Sequence, residues 1–283
     1  MPIDAAKVLG ATLPDVSSEW TAKDIILYHL GLGAGVPSTD ANELQYCYEA
    51  NLKVLPTYTV IPCFDFFAGF GAIPGLDINF ALVLHGEQET EFHAPIPTAA
   101  KVTNTGRVTG VHDKGKAGVV VLEIDTIADD GTKLSTNRMS LFARGEGGFG
   151  GDPGPKVTIP VPERDPDHVV ESPVLEQQAL LYRLSGDWNP LHADPAYATL
   201  GGFDKPILHG LCTYGVVAKA VVDTVCGGDV DRIAKYRTRF AGVVFPGETI
   251  VTRMWVEDDR VVLDVTTKER GEPVLNNAYV ELR

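Results

Sequence analysis

Apolar and polar positions repeat along this chain with two different periods, and the same order of periods is met twice. Asp24 to Leu30 has helical spacing of its apolar residues, and Leu175 to Leu184 has it again. Both stretches carry one short string, Leu27-Tyr28-His29-Leu30 in the first and Leu181-Tyr182-Arg183-Leu184 in the second. Each half then ends in β-branched runs, clearest at Val119–Ile127 and Val261–Thr267, which predict strands. Between the halves, Gly145–Pro155 and Ile159–Pro166 hold so much Gly and Pro that neither a helix nor a central strand can continue through them. The pattern predicts two related units, 1–150 and 166–283, joined by a linker over 151–165.

The second unit has an element that the first lacks. Ile207–Val222 is apolar on nearly every side and rich in small residues, as expected of a helix buried against a sheet, starting near Gly210. Leu84-His85-Gly86 echoes Leu208-His209-Gly210, yet the chain after it passes almost directly to Phe92–Pro97, which reads as loop and strand. The echo predicts a shared structural place for His85 and His209. A missing central helix would leave room over the first unit's sheet.

Composition and charge narrow the function. The chain is 44% hydrophobic and 22% charged, as globular proteins are. No apolar run approaches the ~20 residues of a membrane span, and the first residues lack the apolar core of a secretory signal. Cys47, Cys63, Cys212 and Cys226 form no Cys-x-x-Cys pair, which predicts free thiols in a reducing compartment, the cytoplasm. The final Glu281-Leu282-Arg283 is not a peroxisomal address. A net charge of −14 argues against nucleic acid, and it requires a local basic patch for any polyanionic ligand. The chain has no Gly-rich dinucleotide fingerprint or P-loop, so no cofactor is implied.

The densest cluster of chemistry-bearing residues runs from Tyr182 to His192 and on through Asp194. Asp187, Asn189 and His192 lie within six residues and are interrupted by Pro190, which biases Asn189 away from helix and predicts a turn. A turn of fixed backbone can aim a carboxylate, an amide and an imidazole at one spot, as general acid–base work on a single water requires. Taken singly, each has an ordinary alternative: Asp187 as a backbone cap, Asn189 as a turn former, His192 as a core histidine. Together they point to chemistry.

Those residues resemble a known family. Tyr182-x-Leu-Ser-Gly-Asp-x-Asn-Pro-Leu-His192, followed by Gly201–Cys212, is similar to the hydratase 2 signature of MaoC-like hydratases. Leu55–Tyr58, Ile73–Phe80, Leu84–Gln88, Asp113–Lys116 and Gly147–Gly151 resemble the same family, so the likeness covers nearly the whole chain. It implies an α+β double hot-dog fold, two sheet-around-helix repeats, with the first repeat's central helix reduced or missing to accommodate acyl chains. It implies hydration of trans-2-enoyl-CoA to the (R)-3-hydroxyacyl-CoA, with acyl-carrier protein an alternative carrier and a homodimer the common assembly.

On this reading Asp187 and His192 hold the reacting water, with the choice of formal base left open. Asn189 orients the water or the carboxylate. The backbone N–H of Gly210, at a helix start, is the candidate oxyanion donor, against the plainer role of permitting close packing. Lys114, Gly115, Lys116 and Arg144 are candidates for the basic patch that coenzyme A needs. Glu49 is an accessory candidate, because Tyr48-Glu49 falls where the family carries a sensitive Glu, although the local spacing departs from the family's. Two rivals remain: an acyl-CoA thioesterase on the same fold and a non-catalytic acyl-CoA-binding protein. A metal site of Asp187, His192, Asp194 and His209 suits the residue types but matches no usual ligand spacing, so no metal is expected.

Overall fold

Ten strands form one antiparallel sheet in the computed structural model, which describes residues 3–64, 66–79 and 82–283. Met1, Pro2 and Phe80, the last residue of the Ile73–Phe80 run, lie outside the described residues. The first half supplies β1 (Thr12–Trp20), β2 (Val83–Phe92), β3 (Ala100–Asp113), β4 (Ala117–Ala128) and β5 (Lys133–Arg144). The second supplies β6 (His168–Pro173), β7 (Ile233–Phe240), β8 (Thr249–Glu257), β9 (Arg260–Thr267) and β10 (Pro273–Leu282). The sheet order is β1-β3-β4-β5-β2-β7-β10-β9-β8-β6. Read inward from either edge, each half gives its first, third, fourth, fifth and second strands. The repeat seen in the sequence is therefore a repeat of topology, and the two copies meet where β2 pairs with β7. The α+β double hot-dog expectation is met.

The helices are α1 (Ala5–Val8), α2 (Ala22–Gly31), α3 (Ala41–Cys47), α4 (Phe66–Phe70), α5 (Gln178–Tyr182), α6 (Pro195–Leu200) and α7 (Gly210–Thr224). The matched Leu-Tyr strings lie on α2 and α5, whose Tyr28 and Tyr182 rings are 5.9 Å apart. The second of these helices is shorter than its periodicity suggested, since Arg183–Ser185 tightens into a 3-10 turn. Gly145 to Asp167 carries no helix or strand, as its Gly and Pro content predicted.

α7 is the central helix of the second half, with eleven of its fifteen residues buried. It is fastened at the seam, where Tyr214 Oη donates to the Tyr236 carbonyl and meets Thr90 Oγ1, both at 3.1 Å. The corresponding stretch of the first half is a buried 3-10 segment, Pro56–Cys63, followed by the five-residue α4. With Pro56 and Pro62 in it, that segment cannot satisfy its own backbone. The sheet does so instead: Asn137 donates to the Thr59 carbonyl (3.1 Å) and Asn104 to that of Pro62 (3.3 Å). Gln88 and Thr90 in turn donate to Asn137 Oδ1. The inner face of β2 and β5 is thus polar where a helix would have required it apolar.

One expectation is overturned. Leu84-His85-Gly86 opens β2, whereas Leu208-His209-Gly210 leads into α7, a whole element before β7. Since β2 corresponds to β7, the two strings occupy different places, and their likeness is local sequence alone.

Candidate active site

The chain leaves α5 through the Arg183–Ser185 turn and reverses at Gly186, whose φ of 137° is a conformation open chiefly to glycine. Asp187 follows. Its Oδ1 accepts from the Asn189 N–H (3.2 Å), while Asn189 Oδ1 accepts from the Leu191 N–H (3.0 Å) and caps the one-turn helix Pro190–His192. Asn189 therefore steadies Asp187 through its backbone N–H, while its side-chain oxygen caps the turn. That turn delivers His192, 8% exposed, into the space beside Asp187.

The His192 ring is fixed by a 2.9 Å bond between Nδ1 and the Ile207 carbonyl. A carbonyl only accepts, so Nδ1 carries the proton and Nε2 of the neutral ring keeps its lone pair. Burial pushes the Asp187 carboxyl above its ordinary value, an effect opposed by His192, the Asn189 N–H and Arg183. Burial likewise pushes His192 down, against Asp187 and the Ile207 carbonyl. The ligand atoms of Asp187, His192 and His209 all lie within 4.8 Å of one another. One water making two ordinary hydrogen bonds spans such a gap.

His209 is the residue that sequence reasoning misplaced. Its ring stacks on that of His192, centroids 3.7 Å apart and planes 27° apart, and its Nε2 lies 3.3 Å from the Asp187 carbonyl. One nitrogen of each ring is thus turned to a backbone carbonyl, His192 Nδ1 to Ile207 and His209 Nε2 to Asp187. Asp194, the fourth residue of the metal alternative, is instead the cap of α6, accepting from the Ala196 N–H at 2.8 Å.

Asp187, Asn189 and His192 line a cavity of about 750 Å³ between the halves. Phe64, Phe70, Val83, Leu84 and Leu141 form an apolar wall from the first half, and the α7 start with Phe240–Val244 forms the other. Gly210 stands at that start. The first bonds within α7 run from Cys212 and Thr213 to the His209 carbonyl, so the helix makes no use of the Gly210 N–H. A Cβ on Gly210 would lie 3.1 Å from the Phe240 ring, so close packing also calls for glycine here. His85 lines the cavity too, its Nε2 turned to the Glu87 carbonyl at 3.1 Å.

The remaining candidates stand apart. Lys114, Gly115 and Lys116 form the turn between β3 and β4, and Arg144 ends β5 opposite Ala117. The three cations are exposed, and none joins an ion pair among the described residues. They do not line the cavity, although Val83, which does, pairs with Ala143 next to Arg144. Glu49 is exposed in the loop after α3 and does not reach the cavity wall.

Known proteins resemble this chain in sequence and fold. A family model described as MaoC like domain matches residues 158–278, and one described as MFE-2 hydratase 2 N-terminal domain matches 18–145. The chain is 44% identical over 284 residues to enoyl-CoA hydratase ChsH3 of Mycobacterium tuberculosis, covering 97% of each. A solved MaoC-like dehydratase of Phytophthora capsici superposes with a TM-score of 0.88 at 32% identity, over 98% of both chains. The full-length peroxisomal multifunctional enzyme type 2 of Drosophila melanogaster gives 0.84 at 34% identity, with the chain spanning 96% of its own length and 48% of that protein.

Proposed function

The chain belongs to the MaoC-like, hydratase 2 family, and we propose that Asp187 and His192 carry out its hydration of trans-2-enoyl thioesters. The chain is a hydro-lyase acting in lipid metabolism. The observation that carries the site is the meeting of Asp187 and His192 within 4.8 Å, in a cavity that also holds the free N–H at the start of α7.

A water bound by both groups attacks C3 of the enoyl thioester, giving a proton to His192 Nε2 or to the carboxylate. The same pair returns a proton to C2, so the sum of the two steps is addition of water. The Gly210 N–H, with the α7 dipole behind it, stabilises the negative charge that develops on the thioester oxygen. The product is the (R)-3-hydroxyacyl thioester, and at high product the reaction runs as a dehydration. The apolar wall of residues 1–150 accommodates the acyl chain, 151–165 is a linker, and 166–283 carries the chemistry. Lys114, Lys116 and Arg144 receive the phosphates of coenzyme A in a chain otherwise repellent to anions. The working form is a homodimer in the cytoplasm, a placement supported by four free cysteines. Among the described residues no helix is long and apolar enough to cross a membrane.

The test follows crotonyl-CoA and a medium-chain trans-2-enoyl-CoA by loss of enoyl-thioester absorbance. Wild type hydrates them, and Asp187→Asn and His192→Gln, still folded, fall by about a hundredfold or more, as loss of an acid–base group does. Near-full rates in both variants would sink the assignment, and release of free thiol by the wild type would turn it to a thioesterase.

A further inference from the structure

Asp187 and His192 come from one turn and the Gly210 N–H from the start of α7, yet one side chain touches both residues of that turn and belongs to the residue before Gly210. His209 is 1% exposed, stacks face to face on His192, and bonds the backbone carbonyl of Asp187. As the cap residue of α7 it precedes Gly210 in the chain, and its own carbonyl accepts the first two bonds of the helix. Tyr182 backs it from α5, ring centroids 4.9 Å apart.

We propose that His209 is the positioning residue of this site, holding the His192 ring, the Asp187 backbone and the start of α7 in one register, without itself exchanging protons with substrate. The proposal rests on the assignment of Asp187 and His192 made above. Its chemistry follows from the partners. The Asp187 carbonyl only accepts, so His209 Nε2 is the protonated nitrogen and the ring is neutral. Burial and the neighbouring His192 hold it so, with the pKa pushed down to about 2. A neutral ring can cover one face of His192 without opposing the positive charge that His192 gains when it accepts a proton. A cation there would oppose it. A ring face also keeps water from that side of His192, which holds the base neutral at lower pH.

The groups facing His192 and His209 are Asp187 and Arg183 from the segment after α5 and Tyr182 from α5 itself. With these unchanged, two substitutions separate the two contacts. His209→Gln keeps a donor for the Asp187 carbonyl and removes the ring face, while His209→Phe keeps a ring and removes the donor. Steady-state hydration of crotonyl-CoA is measured from pH 5 to 9, per folded molecule, beside Asp187→Asn and His192→Gln.

In His209→Gln, water reaches His192, its pKa rises, and the acid limb of kcat moves to higher pH by about half a unit or more. In His209→Phe the limb stays, and kcat falls about tenfold with KM within twofold. Wild-type kcat and an unmoved limb in both variants would overturn the proposal. So would a loss matched by the fraction unfolded, or inactivation of wild type by a chelator with recovery on adding zinc, which would make His209 a ligand. If Asp187→Asn and His192→Gln themselves keep full rates, the failure belongs to the underlying assignment.

Discussion

The oxyanion role of Gly210 can be tested despite being a backbone role, because of where Gly210 stands. It is the first helical residue of α7, where proline is well tolerated since the N–H there has no partner within the helix. The residue before it, His209, has φ −59° and ψ 136°, the region that a following proline requires. Gly210→Pro therefore deletes the N–H while leaving α7 its bonds. Its Cβ meets the Phe240 ring at 3.1 Å, and the Cβ of Gly210→Ala meets the same atom, so comparing the two cancels the crowding. One oxyanion donor is worth about 2.7–4 kcal/mol of barrier. At about 1.36 kcal/mol per factor of ten, kcat of Gly210→Pro falls about 100- to 1,000-fold below that of Gly210→Ala. The assay is saturating crotonyl-CoA hydration, with circular dichroism to verify that both variants are folded. A proline variant within threefold of the alanine variant would refute the assignment, since neither loss of the donor nor the ring's bulk would permit it.

Three further outcomes follow from burial and charge. Burial raises the Asp187 pKa, so the folded chain binds that proton more tightly than the unfolded chain and stability falls as pH rises above about 3.8. Asp187→Asn is then more stable than wild type at pH 7, and the advantage shrinks toward pH 4 in urea titrations; equal stability at both pH values would contradict this. His29 is buried and neutral, Nδ1 on the Tyr46 carbonyl and Nε2 accepting from the Leu55 N–H, with its pKa pushed down to about 4 by burial. A depressed pKa gives stability that is present above 6.5 and lost as pH falls toward 4, here about 2.5 kcal/mol by pH 4.5. His29→Leu, weaker at pH 7, shows an acid loss smaller by that amount. Finally, a Cβ on Gly215 would lie 2.7 Å from Leu32 and 2.8 Å from Tyr28 Oη, so Gly215→Ala costs about 1–3 kcal/mol by thermal or urea unfolding.

Much of the site was legible because its residues are close in sequence. Asp187, Asn189 and His192 share one turn, and Pro190 and Gly186 mark the backbone that aims them. The apolar run after Pro206 announced both α7 and its starting glycine. His209 was misjudged because the likeness between its Leu-His-Gly string and that around His85 concealed a difference of a whole element. Glu49 was drawn in by its neighbours in sequence and stands exposed, outside the cavity wall. The aromatic wall from Phe64 and Phe70 carried no signal at all, because nothing local to those residues says which cavity they face.

By itself, then, the sequence determined the periodic elements, the division into two alike halves, the breakage between them and the acid–base turn. All of these depend on interactions within about ten residues, where spacing and backbone preference act directly. Tertiary structure decided that the halves join edge to edge at β2 and β7, that a polar face of Gln88, Asn104 and Asn137 supports a proline-bearing turn in place of a helix, and that His209 lies across His192. Each of these is a meeting of distant segments, fixed by pairing backbone groups that burial would otherwise leave unsatisfied.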